Sequence, residues 1–196
     1  MAARRAAREV SAARGALRVA VARSAARRAS IMHEARGARE ATPMTRRYLE
    51  DLKIGEKWMS EKMTLHAEDI IDFGCKFDPQ PFHTDMEAAK AGPFGGLIAS
   101  GWHLAAVAMK LCVRARLFGE TPIVGVGADE LRWLLPVRPG DVVYVERELV
   151  EIITHPDKPK RGIAKGRIDL KNQRDELVMR LYGLTSIPRR PADDLK

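Results

Sequence analysis

Cysteine is nearly absent from this chain. Two thiols in 196 residues, Cys75 and Cys112, are too few for a disulfide framework and too far apart for a close-spaced metal or redox motif. A reducing compartment is the plain expectation. Long hydrophobic runs are missing too: the most apolar stretch, Leu97 to Phe118, is broken by His103, Lys110, Arg114 and Arg116. It falls short of the roughly eighteen uninterrupted apolar residues that a membrane-spanning helix requires, so no membrane partner is expected.

Several cofactor signatures are absent as well. Gly125-Val126-Gly127 lacks the third glycine of a dinucleotide fingerprint, and no Gly-Lys-Ser/Thr follows a glycine-rich loop. No His/Cys/Asp/Glu group has zinc spacing, and Ser100, in Ala99-Ser100-Gly101, lacks the flanking glycines of a nucleophile elbow. Neither cofactor nor metal is expected from these residues.

What is present is the composition of a folded domain: 31% charged, 45% hydrophobic and 6% aromatic. The net charge of +8 points to an acidic partner only until it is located. Residues 1–43 hold ten arginines, no lysine and three glutamates, whereas residues 44–196 hold 24 basic and 23 acidic side chains. The basicity belongs to the leader, so a nucleic-acid partner is not expected for the domain.

That leader, 1–43, is mostly Ala and Arg, with almost nothing large and apolar to bury, and is expected to lack a core of its own. Three readings stand beside one another: upstream sequence with no function, a mitochondrial transit peptide, or a basic arm for nucleic acid or membrane. Each predicts disorder. Met44 opens a natural start where the composition turns globular. The expected location is cytoplasmic, or mitochondrial if the leader is a transit peptide.

Residues 44–196 suffice for a single core. The pattern predicts a strand over Trp58–Thr64 and a helix over Ala67–Phe77, with His66 a possible cap and Glu68 and Asp69 in the first turn. Two prolines predict an extended path over Asp78–His83, before a short helix from Thr84 to Ala91. The loop Gly92–Gly96 then leads into a helix from Ile98 to Leu117, apolar nearly all round and so expected to be enclosed. Strands follow at Ile123–Val126, Glu130–Leu135, Val142–Thr154, Gly162–Leu170 and Leu177–Ile187, the last two joined by a turn at Asn172–Asp175. Gly162, Ala164, Gly166, Ile168 and Leu170 share one face, small enough for a helix to approach closely. One buried helix followed by antiparallel strands is an α+β layout with the sheet wrapped on the helix.

Two features could carry chemistry. Asp78 and His83 are separated by a proline-stiffened turn that lets a carboxylate and an imidazole face one point and share a water. The glycine loop, expected to open the long helix, would direct free backbone N–H groups at a developing negative oxygen. Each has a plainer explanation, as turn residues or as a tight entry to the core. His103 reads as a satisfied core or interface histidine, Trp102 as packing, Cys75 as a small buried residue, and the segment His155–Arg161 as a basic, solvated hairpin tip.

Phe77-Asp78-Pro79-Gln80-Pro81-Phe82-His83-Thr84-Asp85, then Phe94-Gly95-Gly96-Leu97-Ile98-Ala99-Ser100-Gly101-Trp102-His103, then Pro136-Val137-Arg138-Pro139-Gly140-Asp141, resemble the MaoC-like dehydratase family, relatives of the (R)-specific enoyl-CoA hydratases. The resemblance spans about Tyr48 to Ile187. It implies a hotdog fold, an antiparallel sheet around one long helix, in a homodimer or larger assembly. It also implies that Asp78 and His83 form the catalytic pair and that the Gly101 N–H is the oxyanion donor, with Gln80, Gly96 and Ser100 binding substrate.

The implied substrate is an acyl-CoA thioester, hydrated across its enoyl double bond or dehydrated in reverse, with His83 as base and Asp78 as acid in hydration. A hotdog thioesterase and a non-catalytic acyl-CoA-binding or assembly subunit are the alternatives. Gln80 stands where relatives usually have Asn, Ser100 where they often have His, and Phe77 where Gly often precedes the Asp, which bears on substrate class more than on reaction type.

Overall fold

The computed structural model describes residues 45–191; the leader expected at 1–43 lies outside the described residues. A short 3-10 turn, Leu49–Asp51, precedes two short strands, β1 (Lys57–Met59) and β2 (Met63–Thr64). Both pair antiparallel with β4 (Val142–Thr154). The single strand expected here is interrupted at Ser60, whose hydroxyl, instead of a backbone carbonyl, accepts the Val145 N–H at 2.9 Å.

Helix α1 runs Ala67–Phe77, with Glu68 and Asp69 placed favourably in its first turn. His66 occupies the N-cap position without a side-chain cap bond, so it does not serve as the expected cap. The expected extended path after Asp78 is also corrected, because Pro81–Thr84 forms a helical turn, α2, with proline at the first position. There its missing N–H leaves no bond unmade and its fixed φ suits the helix. Helix α3, Met86–Ala91, is capped by the Asp85 carboxylate, which accepts from the N–H groups of Glu87 and Ala88.

The long helix, α4, spans Gly101–Arg114 and starts later than expected. Long-range bonds hold the preceding residues extended: the Ile98 N–H donates to the Phe82 carbonyl and the Ala99 N–H to that of Val137. Ser100 caps the helix. The loop Gly92–Gly96 therefore does not open α4, and the expected anion-binding role of its N–H groups loses its basis.

Strands β3 (Val124–Trp133), β4, β5 (Arg161–Asn172) and β6 (Leu177–Pro188) complete a six-stranded antiparallel sheet in the order β1-β4-β5-β6-β3. Where two strands were expected, β3 is continuous but carries two register shifts against β6, at Gly125–Gly127 and Asp129–Arg132.

One face of α4, Leu104, Val107, Ala108 and Leu111, packs with Val143, Val145, Ile168, Leu170, Met179 and Leu181 into the main core. This is the hotdog arrangement. Partnered charges cover the other face of the sheet: Arg167 with Glu148, Arg180 with Asp169 and Lys171 with Glu146. The expectation of a helix enclosed all round fails on one side, because Trp102, Ala106, Met109 and Val113 form an exposed stripe on α4. No helix among the described residues is long and apolar enough to cross a membrane.

The small face of β5 is buried as its alternation predicts, but it is not α4 that exploits the room. A side chain at Gly162 would meet Leu49, and one at Gly166 would meet the Arg147 guanidinium. Gly74 bears on the site: a Cβ there would lie 2.8 Å from the His83 carbonyl and 3.0 Å from the His83 Cβ. This contact seats α2 on α1. Gly74→Ala is therefore expected to destabilise the fold by about 1–3 kcal/mol, as overpacking does, measured by denaturant unfolding.

Candidate active site

Asp78 caps the C-terminus of α1, its N–H bonded to the Gly74 carbonyl. Pro79 bars the helix from continuing, and one turn later α2 carries His83. The two side chains meet, with His83 Nε2 3.3 Å from Asp78 Oδ2. His83 is buried, and its Nδ1 lies 2.8 Å from the Ile98 carbonyl. A carbonyl only accepts, so Nδ1 carries hydrogen and Nε2 is the atom turned to Asp78. The edge of Phe82 packs on the imidazole at 4.6 Å.

Ser100 joins the pair from the start of α4. Fully buried, it donates from Oγ to Asp78 Oδ2 at 2.6 Å, while the same oxygen accepts the Trp102 N–H at 3.3 Å. The Gln80 amide donates to the other carboxylate oxygen at 2.8 Å. The Ser100 hydrogen bond, then those of Gln80 and the proximity of His83, hold the Asp78 carboxyl below its ordinary range against a smaller opposing effect of burial.

Asp78, Gln80, His83 and Gly101 line a cavity of about 600 Å3. Phe77, Phe82, Phe94, Ile98 and Leu104 make much of the remaining wall, and Trp133 to Pro136 close it from the end of β3. As the first residue of α4, Gly101 has no carbonyl one turn back within the helix to receive its N–H.

Not every expected residue is brought together. Gly96 does not line the cavity; at a positive φ of 154°, its open side faces the Arg138 guanidinium, which donates to the Phe94 carbonyl at 2.6 Å. His103 is buried, with Nδ1 unpartnered, and stacks on Phe73 at 4.8 Å, outside the cavity lining. Cys75 is exposed rather than buried. Trp102 is 59% exposed and lines the cavity, so it is a wall rather than core packing.

Two contributors escaped sequence reasoning. The Ile98 carbonyl that orients His83 leaves no side-chain signature, and Trp133 lies far from the motif in the chain. Among the described residues no His, Cys, Asp or Glu cluster could hold a metal ion.

The model of the MaoC-like domain family matches residues 51–169, which include the whole dyad and Ser100. The chain belongs to this MaoC-like family. It is 42% identical to the MaoC-like dehydratase from Rhodospirillum rubrum, whose structure superposes with a TM-score of 0.67 over 74% of this chain and 98% of that one. The (R)-hydratase from A. caviae is 26% identical with a TM-score of 0.59, covering 71% and 99% of the two chains. The 3-hydroxybutyryl-CoA dehydratase from Methylorubrum extorquens is 28% identical over 150 residues, 69% of this chain and 93% of the relative. Dehydratases and hydratases are thus this MaoC-like protein's relatives in sequence and in structure.

A carboxyl whose pKa falls on folding contributes stability that is fully present above its unfolded pKa and is lost as pH drops through the folded value. Ser100→Ala removes the hydrogen bond that does most to lower the pKa of the Asp78 carboxyl, so the Asp78 pKa should rise, read by carboxyl-carbon NMR titration. Its contribution to acid stability should shrink accordingly.

Proposed function

We propose that this protein adds water across the C2–C3 double bond of a trans-enoyl thioester carried on coenzyme A, or runs the reverse dehydration of a 3-hydroxyacyl thioester, with (R) stereochemistry. The observation that carries this reading is that Asp78 and His83, joined by Ser100 behind them, line a largely apolar cavity together with Gly101, the first residue of α4. An enoyl group needs an apolar pocket, an acid and a base within reach of one water, and a donor for the thioester oxygen.

In hydration, a water between the pair gives a proton to one group and its oxygen to C3, while the other group delivers a proton to C2. The thioester oxygen gains enolate-like charge, and the Gly101 N–H is the donor placed to receive it. The Asp78 carboxyl is held low by the Ser100 hydrogen bond, so it is better suited to take a proton from the water than to give one. That favours Asp78 as the proton acceptor and His83 as the donor, the reverse of the assignment expected from sequence. Transfer of the proton from Asp78 to His83 across their contact restores the pair.

The assembly we propose is a homodimer. Among the described residues, strand β3 ends the sheet with an unpaired edge on which Val124 and Val126 are exposed, and α4 shows an uncovered stripe of Trp102, Ala106, Met109 and Val113. Apolar edges of this kind call for a partner, and a second copy brings the same two features. Val126→Glu with Met109→Glu should shift the sedimentation coefficient of the full-length chain to that of a monomer.

The decisive experiment follows the loss of enoyl-thioester ultraviolet absorbance on mixing the full-length protein with short, long and branched trans-enoyl-CoAs. Wild type should consume at least one substrate. Asp78→Asn and His83→Ala should each lose about 10²–10⁴-fold in kcat, the usual weight of a general acid or base, with circular dichroism unchanged. Release of free coenzyme A thiol without hydration would instead identify a thioesterase, and tight binding without turnover an acyl-CoA-binding subunit.

A further inference from the structure

Strand β3 does not approach the site by regular pairing. Asp129 stands opposite Tyr182 and Arg132 opposite Arg180, so three steps on β3 match two on β6, and Glu130 within the extra step takes a left-handed φ of 52°. One inserted residue reverses which side chains face each side of the sheet. With regular pairing, Arg132 would oppose Met179 and Trp133 would turn to the outer face. With the bulge, Trp133 itself opposes Met179, which is fully buried in the main core, and the indole is delivered to the helix side.

There it meets Gly101 in two ways. The indole Nε1–H donates to the Gly101 carbonyl at 2.8 Å, and the ring lies so close to the Cα that a Cβ at this position would clash with Cε2. Trp102 packs edge-on against the same indole, centroids 5.5 Å apart at 75°, and both rings line the cavity.

We propose that Trp133 is a positioning and specificity-determining residue of this site: aimed by the bulge at Glu130, it clamps the first turn of α4 and walls the acyl pocket. The inference rests on the hydratase reading above. The indole bond holds the Gly101–Trp102 peptide and the ring crowds the Cα, while the Ser100–Gly101 peptide that carries the Gly101 N–H is held by the Ser100 carbonyl accepting from the Leu104 N–H, so both units have little freedom to rotate. The direction of the Gly101 N–H is set before substrate arrives, which is when a donor to a developing oxyanion is most effective. The same indole, with Leu134 and Leu135, gives the pocket a bulky apolar wall. The fitting acyl group is therefore uncharged and apolar, its length limited by Trp133.

The test compares full-length wild type, Trp133→Phe and Trp133→Ala on trans-enoyl-CoAs of increasing chain length. Trp133→Phe keeps a ring but loses the N–H, so kcat should fall about two- to tenfold, the worth of one hydrogen bond, with KM nearly unchanged and the chain-length order preserved. Such a split marks an interaction expressed in the transition state. Trp133→Ala removes the wall, so kcat/KM for longer chains relative to short ones should rise about tenfold or more. Thermal unfolding of both variants confirms that they are folded; were Trp133→Ala to unfold, Trp133→Leu replaces it. Wild-type kcat in Trp133→Phe together with an unshifted length profile in the smaller variant overturns the proposal while leaving the hydratase reading intact. If wild type itself leaves every thioester intact, the hydratase reading falls and this one with it.

Discussion

Ser100 bonds in two directions, and the site depends on both. Its hydroxyl oxygen accepts the Trp102 N–H, which caps the central helix, and its proton goes to Asp78. A buried hydroxyl with one donor and few acceptor sites has little freedom once both are committed. The rotamer that caps the helix is thus the rotamer that holds the carboxylate, so helix start and site geometry cannot drift apart. The bond also holds the Asp78 carboxyl below its ordinary range despite partial burial.

Around this junction, each element arrives by a different constraint. Gly74 lets α2 lie against α1, Pro79 and Pro81 shape the turn between Asp78 and His83, and the Ile98 carbonyl fixes the imidazole. The sheet contributes through a defect in its own regularity, the bulge that turns Trp133 inward. A flat, regular β3 would satisfy the ladder equally well but would leave the first turn of α4 unclamped. Irregular backbone at Glu130 thus lies where the fold meets the cavity.

Much of this was legible before any coordinates. The alternation of small and larger apolar residues on β5, the β-branched run of β4 and the acidic first turn of α1 are local signals, and their elements appear with bounds close to those expected. The errors share one cause. Ile98 and Ala99 have helical propensity yet are held extended by bonds to Phe82 and Val137, while the segment after Asp78, read as extended from its prolines, closes into a turn at Pro81. Propensity is a weak term and long-range hydrogen bonds override it. The apolar pattern of α4 predicts an enclosed helix, yet one stripe is exposed, because periodicity reports that a face is apolar and not what covers it.

What the sequence by itself determined is the inventory and its local order: one long apolar helix, the strands after it, and an acid and an imidazole five residues apart across two prolines. Those follow from steric rules and periodicities that act over a few residues. Only the tertiary structure decided that Ser100, 22 positions along, is bonded to Asp78, that Gly96 faces Arg138 instead of the cavity, and that Trp133 reaches Gly101 across a separation of 32. Contacts of that range depend on strand register and on a single inserted residue, which no local pattern encodes, because the parity of a whole strand end reverses with one bulge.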